Sequence, residues 1–130
     1  MTTAPVISIV DDDDSSRKAI ANFVRSLGYV AASFASAEAF LRSDRLHDTD
    51  CLITDLQMPG LSGIGLQSAL IAQGNKTPMI FVTAFGEEGA RRRALEAGAV
   101  AFLNKPFDEG RLIEHLHSVL QGRDGASAPQ

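Results

Sequence analysis

A chain of 130 residues, 45% hydrophobic and 22% charged, has the length of one domain with its own core and is short for two. Its net charge of −4, with no tryptophan and no basic arm, disfavours nucleic-acid binding. One cysteine excludes an internal disulfide, and three scattered histidines do not suggest a zinc site. No apolar run approaches the ~18 residues that span a bilayer, so we expect a soluble, cytoplasmic protein without membrane contact.

Five short runs along the chain have the character of β-strands. Four are apolar or β-branched without strict alternation, which is typical of strands buried on both faces, and the half-polar second run is typical of an edge strand. In chain order the predicted strands are Val6–Val10, Val30–Phe34, Cys51–Thr54, Met79–Thr83 and Ala101–Leu103.

Helical periodicity fills the segments between these strands. Apolar residues at three- and four-residue spacing predict helices, most clearly before Gly28 and after Asp108. Three glycines stand where left-handed C-terminal caps are expected: Gly28, Gly74 and Gly98. Three residues stand where N-caps are expected: Asp14, Ser36 and Asp108. We expect Asp13 to be merely solvated.

The alternation of strands and helices predicts an α/β fold with right-handed crossovers. Five βα units match a doubly wound, flavodoxin-like parallel sheet of five strands in the order 2-1-3-4-5, with five helices. We expect a flexible N-terminus over residues 1–5, the domain over 6–120, and a linker or disordered tail over 121–130.

Polar residues follow the predicted strands at one edge of this sheet. Asp11 and Asp12 follow the first strand, Asp55 the third and Lys105 the fifth, and Thr83 ends the fourth. In the order 2-1-3-4-5 the first, third and fourth strands are neighbours, and ligands bind beside the point where the order reverses. The sequence therefore predicts a small acidic pocket that contains one cation.

Converging carboxylates repel one another unless positive charge lies between them. Mg²⁺, with Mn²⁺ as an alternative, suits a site of Asp11, Asp12, Asp55 and the main-chain carbonyl of Gln57. A carboxylate beside such an ion, a lysine and a hydroxyl can accept a phosphoryl group. Asp55 is the expected nucleophile because it stands alone at a strand end. Thr83 would donate its hydroxyl to a phosphate oxygen, and Lys105 would pair with Asp55 or the anion it carries.

Four motifs, in order and spacing, make the chain resemble the receiver domain of two-component response regulators. They are VDDDDS at 10–15, TDLQMPGLSG at 54–63, VTAFGE at 82–87 and AGAVAFLNKPF at 97–107. With SAEAFL at 36–41, the pattern is similar to FixJ-type receivers. The resemblance implies the same roles for the pocket residues and adds Phe102 as an aromatic switch. The Lys105–Pro106 bond is a candidate cis peptide, since only X–Pro bonds reach that form at modest cost.

The same resemblance implies a signalling switch rather than an enzyme that turns over a substrate. A sensor histidine kinase would phosphorylate Asp55, and the chain would catalyse only this transfer and its own dephosphorylation. The surface of the fourth helix, fifth strand and fifth helix would then be remodelled. An output domain or partner protein would respond to the remodelled surface, or two copies of the chain would form a phosphorylation-dependent homodimer. Either event would control an output such as transcription.

Three other functions are weighed against this one. An aspartate-nucleophile phosphatase would want a second acid where Gln57 stands. A flavodoxin-type carrier would need a hydroxyl- and glycine-rich loop where four aspartates, Asp11 to Asp14, would repel the cofactor's phosphate. A receiver-like adaptor without phosphorylation would not need the intact set of pocket residues.

Overall fold

The computed structural model describes residues 4–84 and 86–127, with residues 122–127 described as backbone alone. Within these ranges, strands and helices alternate along the chain as predicted. The strands are β1 (Val6–Val10), β2 (Val30–Phe34), β3 (Cys51–Thr54), β4 (Met79–Thr83) and β5 (Ala101–Asn104). The helices are α1 (Asp14–Ser26), α2 (Ala37–Leu41), α3 (Gly63–Ala72), α4 (Glu88–Glu96) and α5 (Glu109–Ser127). A 3-10 turn at Asp44–His47, which the sequence did not predict, precedes β3.

The five strands form one parallel sheet in the order β2-β1-β3-β4-β5, which confirms the flavodoxin-like topology. All residues of the two central strands β3 and β4 are buried, as their continuous apolar sequences predict. Strand β2 is half-exposed along its length, as expected at the edge of a sheet. The chain order reverses between β1 and β3, so a crevice is expected at their carboxyl ends.

Two hydrophobic cores cover the two faces of the sheet. Alternate strand residues point to opposite faces, so Ile53 packs with α1 and α5, whereas its neighbour Leu52 packs with α2, α3 and α4. The first core includes Ile20, Val24, Leu112 and Leu116, and the second includes Phe40, Leu66, Leu70 and Ala94. With a core on each face, the sheet is a fixed platform for the loops at its carboxyl edge.

The helix caps follow the sequence with one exception. Ser36 caps α2, and the Asp108 carboxylate accepts a hydrogen bond of 3.1 Å from the Arg111 amide. The prediction for α1 was wrong, because Asp13 is its cap and accepts from the amides of the second and third following residues. Asp14 is the first helical residue and pairs with Arg17. An aspartate one position earlier reaches the same free amides, so an acidic run leaves the cap ambiguous.

The glycines at 28, 74 and 98 all have positive φ angles, between 72° and 109°, as predicted for residues that end helices. The Lys105–Pro106 peptide is cis, as predicted. Helix α5 continues to Ser127 through most of the segment predicted as a linker. Residues 1–3 and 128–130 of the predicted flexible ends lie outside the described residues, so the domain limits at 6 and 120 remain predictions. Within the described residues, every helix is too short or too polar to span a bilayer.

Candidate functional site

Backbone hydrogen bonds at the ends of the strands fix the residues of the predicted pocket. The Asp11 amide donates to the Phe34 carbonyl at 3.1 Å, and the Asp55 amide donates to the Val10 carbonyl at 2.9 Å. The Lys105 amide similarly donates to the Thr83 carbonyl at 2.9 Å. These bonds extend the sheet pairing by one residue, so the side chains just past β1, β3 and β5 are held at the same edge.

Lys105 bridges two carboxylates in this pocket. Its Nζ atom lies 2.8 Å from Oδ2 of Asp11 and 3.1 Å from Oδ2 of Asp55. The side chains of Lys105, Asp11 and Asp55 are only 18%, 1% and 11% exposed. Burial by itself lowers the pKa of Lys105, but the hydrogen bonds and charges of the two aspartates outweigh it and raise the pKa above its ordinary value. The lysine is therefore held charged between the two acids.

The second oxygen of each aspartate is held by the backbone. Oδ1 of Asp11 accepts from the amide of Asp13 at 2.9 Å, and Oδ1 of Asp55 accepts from the amide of Leu56 at 2.6 Å. Each carboxylate is thus oriented by a local amide on one side and by Lys105 on the other. Such oriented oxygens can act as metal ligands or as a nucleophile without first being rearranged.

The three acids Asp11, Asp12 and Asp55 form a cluster that fits a hard divalent cation. One carboxylate oxygen from each lies within 4.8 Å of the other two. This spacing is near the ~4 Å that separates opposite ligands when each metal–oxygen bond is ~2.1 Å. Asp12 is exposed, Asp55 is partly exposed and Asp11 is buried, so the cluster opens to solvent on one side. The carboxylates can therefore hold an ion that keeps several waters.

The loop after Asp55 is shaped by close packing at its end. The amide of Gly63 donates to the carbonyl of Leu56 at 2.8 Å. A Cβ atom at position 63 would lie 2.2 Å from the Asp55 carbonyl oxygen, so only glycine allows α3 to start this close to the nucleophile candidate. Gln57, the predicted carbonyl ligand, is exposed in this loop, whereas Met58 is buried in the second core.

The two predicted switch residues lie on β4 and β5. Thr83 is fully buried at the end of β4 and pairs in register with Asn104. The Phe102 ring is half-buried and stacks on Phe81 with 5.8 Å between the centroids. A Cβ atom at Gly86 would lie 2.7 Å from the Phe102 ring. Gly86, in the loop that follows Thr83, thus lies beside the aromatic side chain, where any larger residue would collide with the ring.

Two contacts at this edge were missed by reasoning from the sequence. The Arg17 guanidinium donates to the Asp11 carbonyl at 2.8 Å and pairs with Asp14, so it supports the turn that carries the acids. Glu38 of α2 accepts from the amide of Leu61 at 3.0 Å, in the loop after Asp55. The first contact could have been predicted, because a basic residue lies one helical turn after the acidic residues that begin α1. The second contact joins residues 23 positions apart and leaves no local pattern in the sequence.

Comparison with known proteins agrees with this geometry. Residues 7–117 match the family model for the response regulator receiver domain. The chain belongs to the response regulator receiver family. It therefore has the general role of that family, a receiver module in phosphorylation-dependent signalling.

Several full response regulators are similar to this receiver chain. It is 37% identical over 118 residues to response regulator protein TodT of Pseudomonas putida, and the match covers 91% of this chain and 52% of TodT. It is 36% identical over 124 residues to the transcriptional regulatory protein FixJ of Azorhizobium caulinodans, with 95% of this chain and 57% of FixJ covered. The chain thus spans about half the length of these relatives.

Solved structures also resemble the receiver. The response regulator StyR has a TM-score of 0.85 and 39% identity, covering 96% of this chain and 65% of that one. The crystal structure of FixJ-N has a TM-score of 0.80 and 33% identity, covering 91% of this chain and 94% of that one. The predicted likeness to FixJ-type receivers is therefore confirmed.

Proposed function

We propose that this receiver accepts a phosphoryl group from the phosphohistidine of a sensor histidine kinase onto Asp55. The proposal rests on the position of Lys105, whose Nζ atom lies within 3.1 Å of a carboxylate oxygen of both Asp55 and Asp11. A third acid, Asp12, belongs to the same cluster. A lysine held between the nucleophile candidate and one of the two paired acids suits a site that receives a phosphoryl group. Magnesium-dependent uptake of one such group from acetyl phosphate, read from the intact mass, tests the proposal.

The transfer requires little from the protein beyond position and charge. A carboxylate oxygen of Asp55 forms a bond to phosphorus as the donor's P–N bond breaks, and the bonding electron pair stays with the departing imidazole nitrogen. Bound Mg²⁺, or Mn²⁺ in its place, supplies positive charge to the carboxylates and the phosphate oxygens. Asp11, Asp12, Asp55 and the Gln57 carbonyl would hold the ion, and Lys105 would neutralise the remaining anionic oxygen. Later attack of water on the acyl phosphate resets the protein.

Thr83 and Phe102 would carry the change to the output surface. In the proposed phosphorylated state the Thr83 hydroxyl donates to a phosphate oxygen and draws the loop after β4 with it. The position of Gly86 supports this coupling, because a side chain there would collide with the Phe102 ring, so the loop runs beside the aromatic side chain. The α4–β5–α5 surface would then favour a second state that an output domain, a partner protein or a second copy recognises.

A matched pair of substitutions at Thr83 tests the coupling. We expect Thr83→Ala to take up the phosphoryl group but to lose most of the resulting chemical-shift changes of the backbone amides on α4 and β5. The reason is that alanine lacks the hydroxyl that would donate a hydrogen bond to the phosphate. Thr83→Ser retains that hydroxyl and should retain the shifts. Amide spectra recorded before and after acetyl phosphate treatment measure this. Full shifts in the alanine variant would contradict the switch role.

The metal assignment predicts a loss of stabilisation in Asp12→Ala. At a Mg²⁺ concentration a hundredfold above the dissociation constant, the ion stabilises the wild type by ~2.7 kcal/mol. The variant lacks one of three clustered carboxylates and should lose most of this gain, measured as the shift in melting temperature on adding MgCl₂. Asp44→Ala, which removes an exposed carboxylate outside the cluster, is the control. Equal shifts in both variants would remove Asp12 from the site.

The whole protein's place in the cell is part of the same proposal. A cytoplasmic location gives the receiver access to the kinase and to acyl phosphates. The output proposed is transcription, because the similar FixJ protein is named a transcriptional regulatory protein. The net charge of −4 supports an output reached through another domain or partner rather than through direct nucleic-acid binding by this chain.

A further inference from the structure

Glu38 joins α2 to the loop that follows the candidate phosphoacceptor. Its Oε2 atom accepts a hydrogen bond of 3.0 Å from the amide of Leu61, across 23 residues of sequence. A Cβ atom on the preceding residue, Gly60, would lie 2.6 Å from the same oxygen. Gly60 also has a φ of 77°, which favours glycine. The carboxylate therefore lies directly against the backbone of two successive loop residues.

The helix that carries Glu38 is itself firmly held. Ala37 and Phe40 are fully buried, and the Phe40 ring packs edge-on against Phe34 at 5.4 Å. The Ser36 hydroxyl caps the helix by accepting from the amide of Ala39 at 3.0 Å. Amides of Glu38 itself and of Leu61 lower the pKa of the Glu38 carboxyl, so it is ionised at neutral pH. A charged acceptor on an anchored helix makes a strong hydrogen bond.

The loop held by Glu38 is the one that presents the Gln57 carbonyl. Its start is fixed by the hydrogen bond of 2.6 Å from the Leu56 amide to Asp55, and its end by the bond of 2.8 Å from the Gly63 amide to the Leu56 carbonyl. Between these two points Gln57, Pro59 and Gly60 are exposed. The hydrogen bond from the Leu61 amide to Glu38 anchors the loop to a different element, α2, between these exposed residues and Gly63.

We propose that Glu38 is a positioning residue for cation binding, because its carboxylate holds the loop and thereby sets the Gln57 carbonyl relative to Asp55. The inference rests on the proposed function of the site. Groups that orient metal ligands without touching the ion typically contribute 10- to 100-fold to metal affinity. Since Glu38 acts on the loop four residues from Gln57, we expect an effect of about tenfold, at the lower end of that range.

Three substitutions separate the contact from the charge. Glu38→Ala removes the acceptor, and Glu38→Asp keeps the charge but is one methylene too short to span the contact. Glu38→Gln loses the charge but keeps an oxygen acceptor of the same length. The control is Glu114→Ala, which removes an exposed carboxylate from α5. Titration of each ¹⁵N-labelled protein with MgCl₂, followed through backbone amide shifts, gives the Mg²⁺ affinity without any phosphoryl donor.

We expect Glu38→Ala and Glu38→Asp to bind Mg²⁺ about tenfold more weakly, and Glu38→Gln to remain within about twofold of the wild type. Phosphoryl uptake from acetyl phosphate should slow by a similar factor at low Mg²⁺ and recover at saturating Mg²⁺, since the nucleophile is untouched. A variant weakened only in its fold would also recover at saturating Mg²⁺, because the ion stabilises the folded state. The metal-free amide spectrum separates the two cases: it shows resonances of unfolded chain if the fold is weakened, and only folded resonances if Glu38 acts by positioning. If Glu38→Ala does not fold, the aspartate and glutamine variants decide the matter.

The outcomes distinguish this inference from the proposed function. Suppose that the wild type binds Mg²⁺ and is phosphorylated, but Glu38→Asp binds Mg²⁺ as tightly as Glu114→Ala does. If the shifted Leu61 amide resonance shows that the contact was lost in Glu38→Asp, the positioning role is overturned and the proposed function stands. If the wild type itself takes up neither Mg²⁺ nor a phosphoryl group, both are overturned.

Discussion

Asp55→Asn is expected to take up no phosphoryl group from acetyl phosphate. The amide keeps the size of the side chain and can still accept from the Leu56 amide, but it lacks the anionic oxygen that must bond to phosphorus. Wild-type protein should gain one phosphoryl group, about 80 Da, only in the presence of Mg²⁺. Intact mass spectrometry at short sampling times measures both proteins.

Two further samples make this result specific. Asp48→Asn removes an exposed carboxylate that pairs with Arg45 outside the pocket, and it should be labelled like the wild type. Chelation of Mg²⁺ should abolish labelling in both. Labelling of Asp55→Asn at the wild-type level would place the acceptor elsewhere, and failure of the wild type to be labelled at any sampling time would contradict the proposed function.

Lys105→Met is expected to destabilise the metal-free protein by about 2–3 kcal/mol at neutral pH, somewhat below the usual cost of breaking a fully buried ion pair. Methionine keeps the apolar stem but leaves Asp11, which is 1% exposed, and Asp55 without their shared cation. Mg²⁺ should restore much of the loss by neutralising the same carboxylates, so its stabilising effect is larger in the variant than in the wild type. Urea unfolding with EDTA or with MgCl₂ measures both effects.

The pH dependence of this effect follows from the raised pKa of Lys105. A cation whose pKa is higher in the folded state stabilises fully below its unfolded value of about 10.5, and this stabilisation is lost as the pH rises through the folded value. The difference between wild type and Lys105→Met should therefore be constant from pH 6 to about 9 and narrow above about pH 10.5. Lys76→Met, at an exposed position, is the control. If the two methionine variants were equally stable in EDTA, Lys105 would have no stabilising role between the acids.

The residues of the site could be predicted from the sequence because the fold is built on a parallel sheet. Once five strand-like runs are seen to alternate with helices, the residue after each strand must lie at one edge, and the order 2-1-3-4-5 puts Asp11 and Asp55 beside each other. Lys105, 50 residues from Asp55, reaches it for the same reason. Such placement needs only the strand order and no knowledge of side-chain packing.

Features that depend on exact local geometry were less accessible. In the run Asp11 to Asp14 each residue is chemically able to cap a helix, and the backbone entering α1 selects Asp13. The 3-10 turn at Asp44–His47 has little apolar periodicity, and its hydroxyl cap at Ser43 is a short-range contact that a loop would also allow.

The strand order, the edge at which the acids meet and the family could all be predicted from the residue pattern, because strand burial and motif spacing are local properties of the chain. The atomic contacts became known from the folded structure alone: Lys105 bridges Asp11 and Asp55, Phe102 stacks on Phe81, and Glu38 accepts from the Leu61 amide. These contacts join residues far apart in the chain, and their distances depend on how the helices pack on the sheet. The pattern of residue types along the sequence does not contain that information.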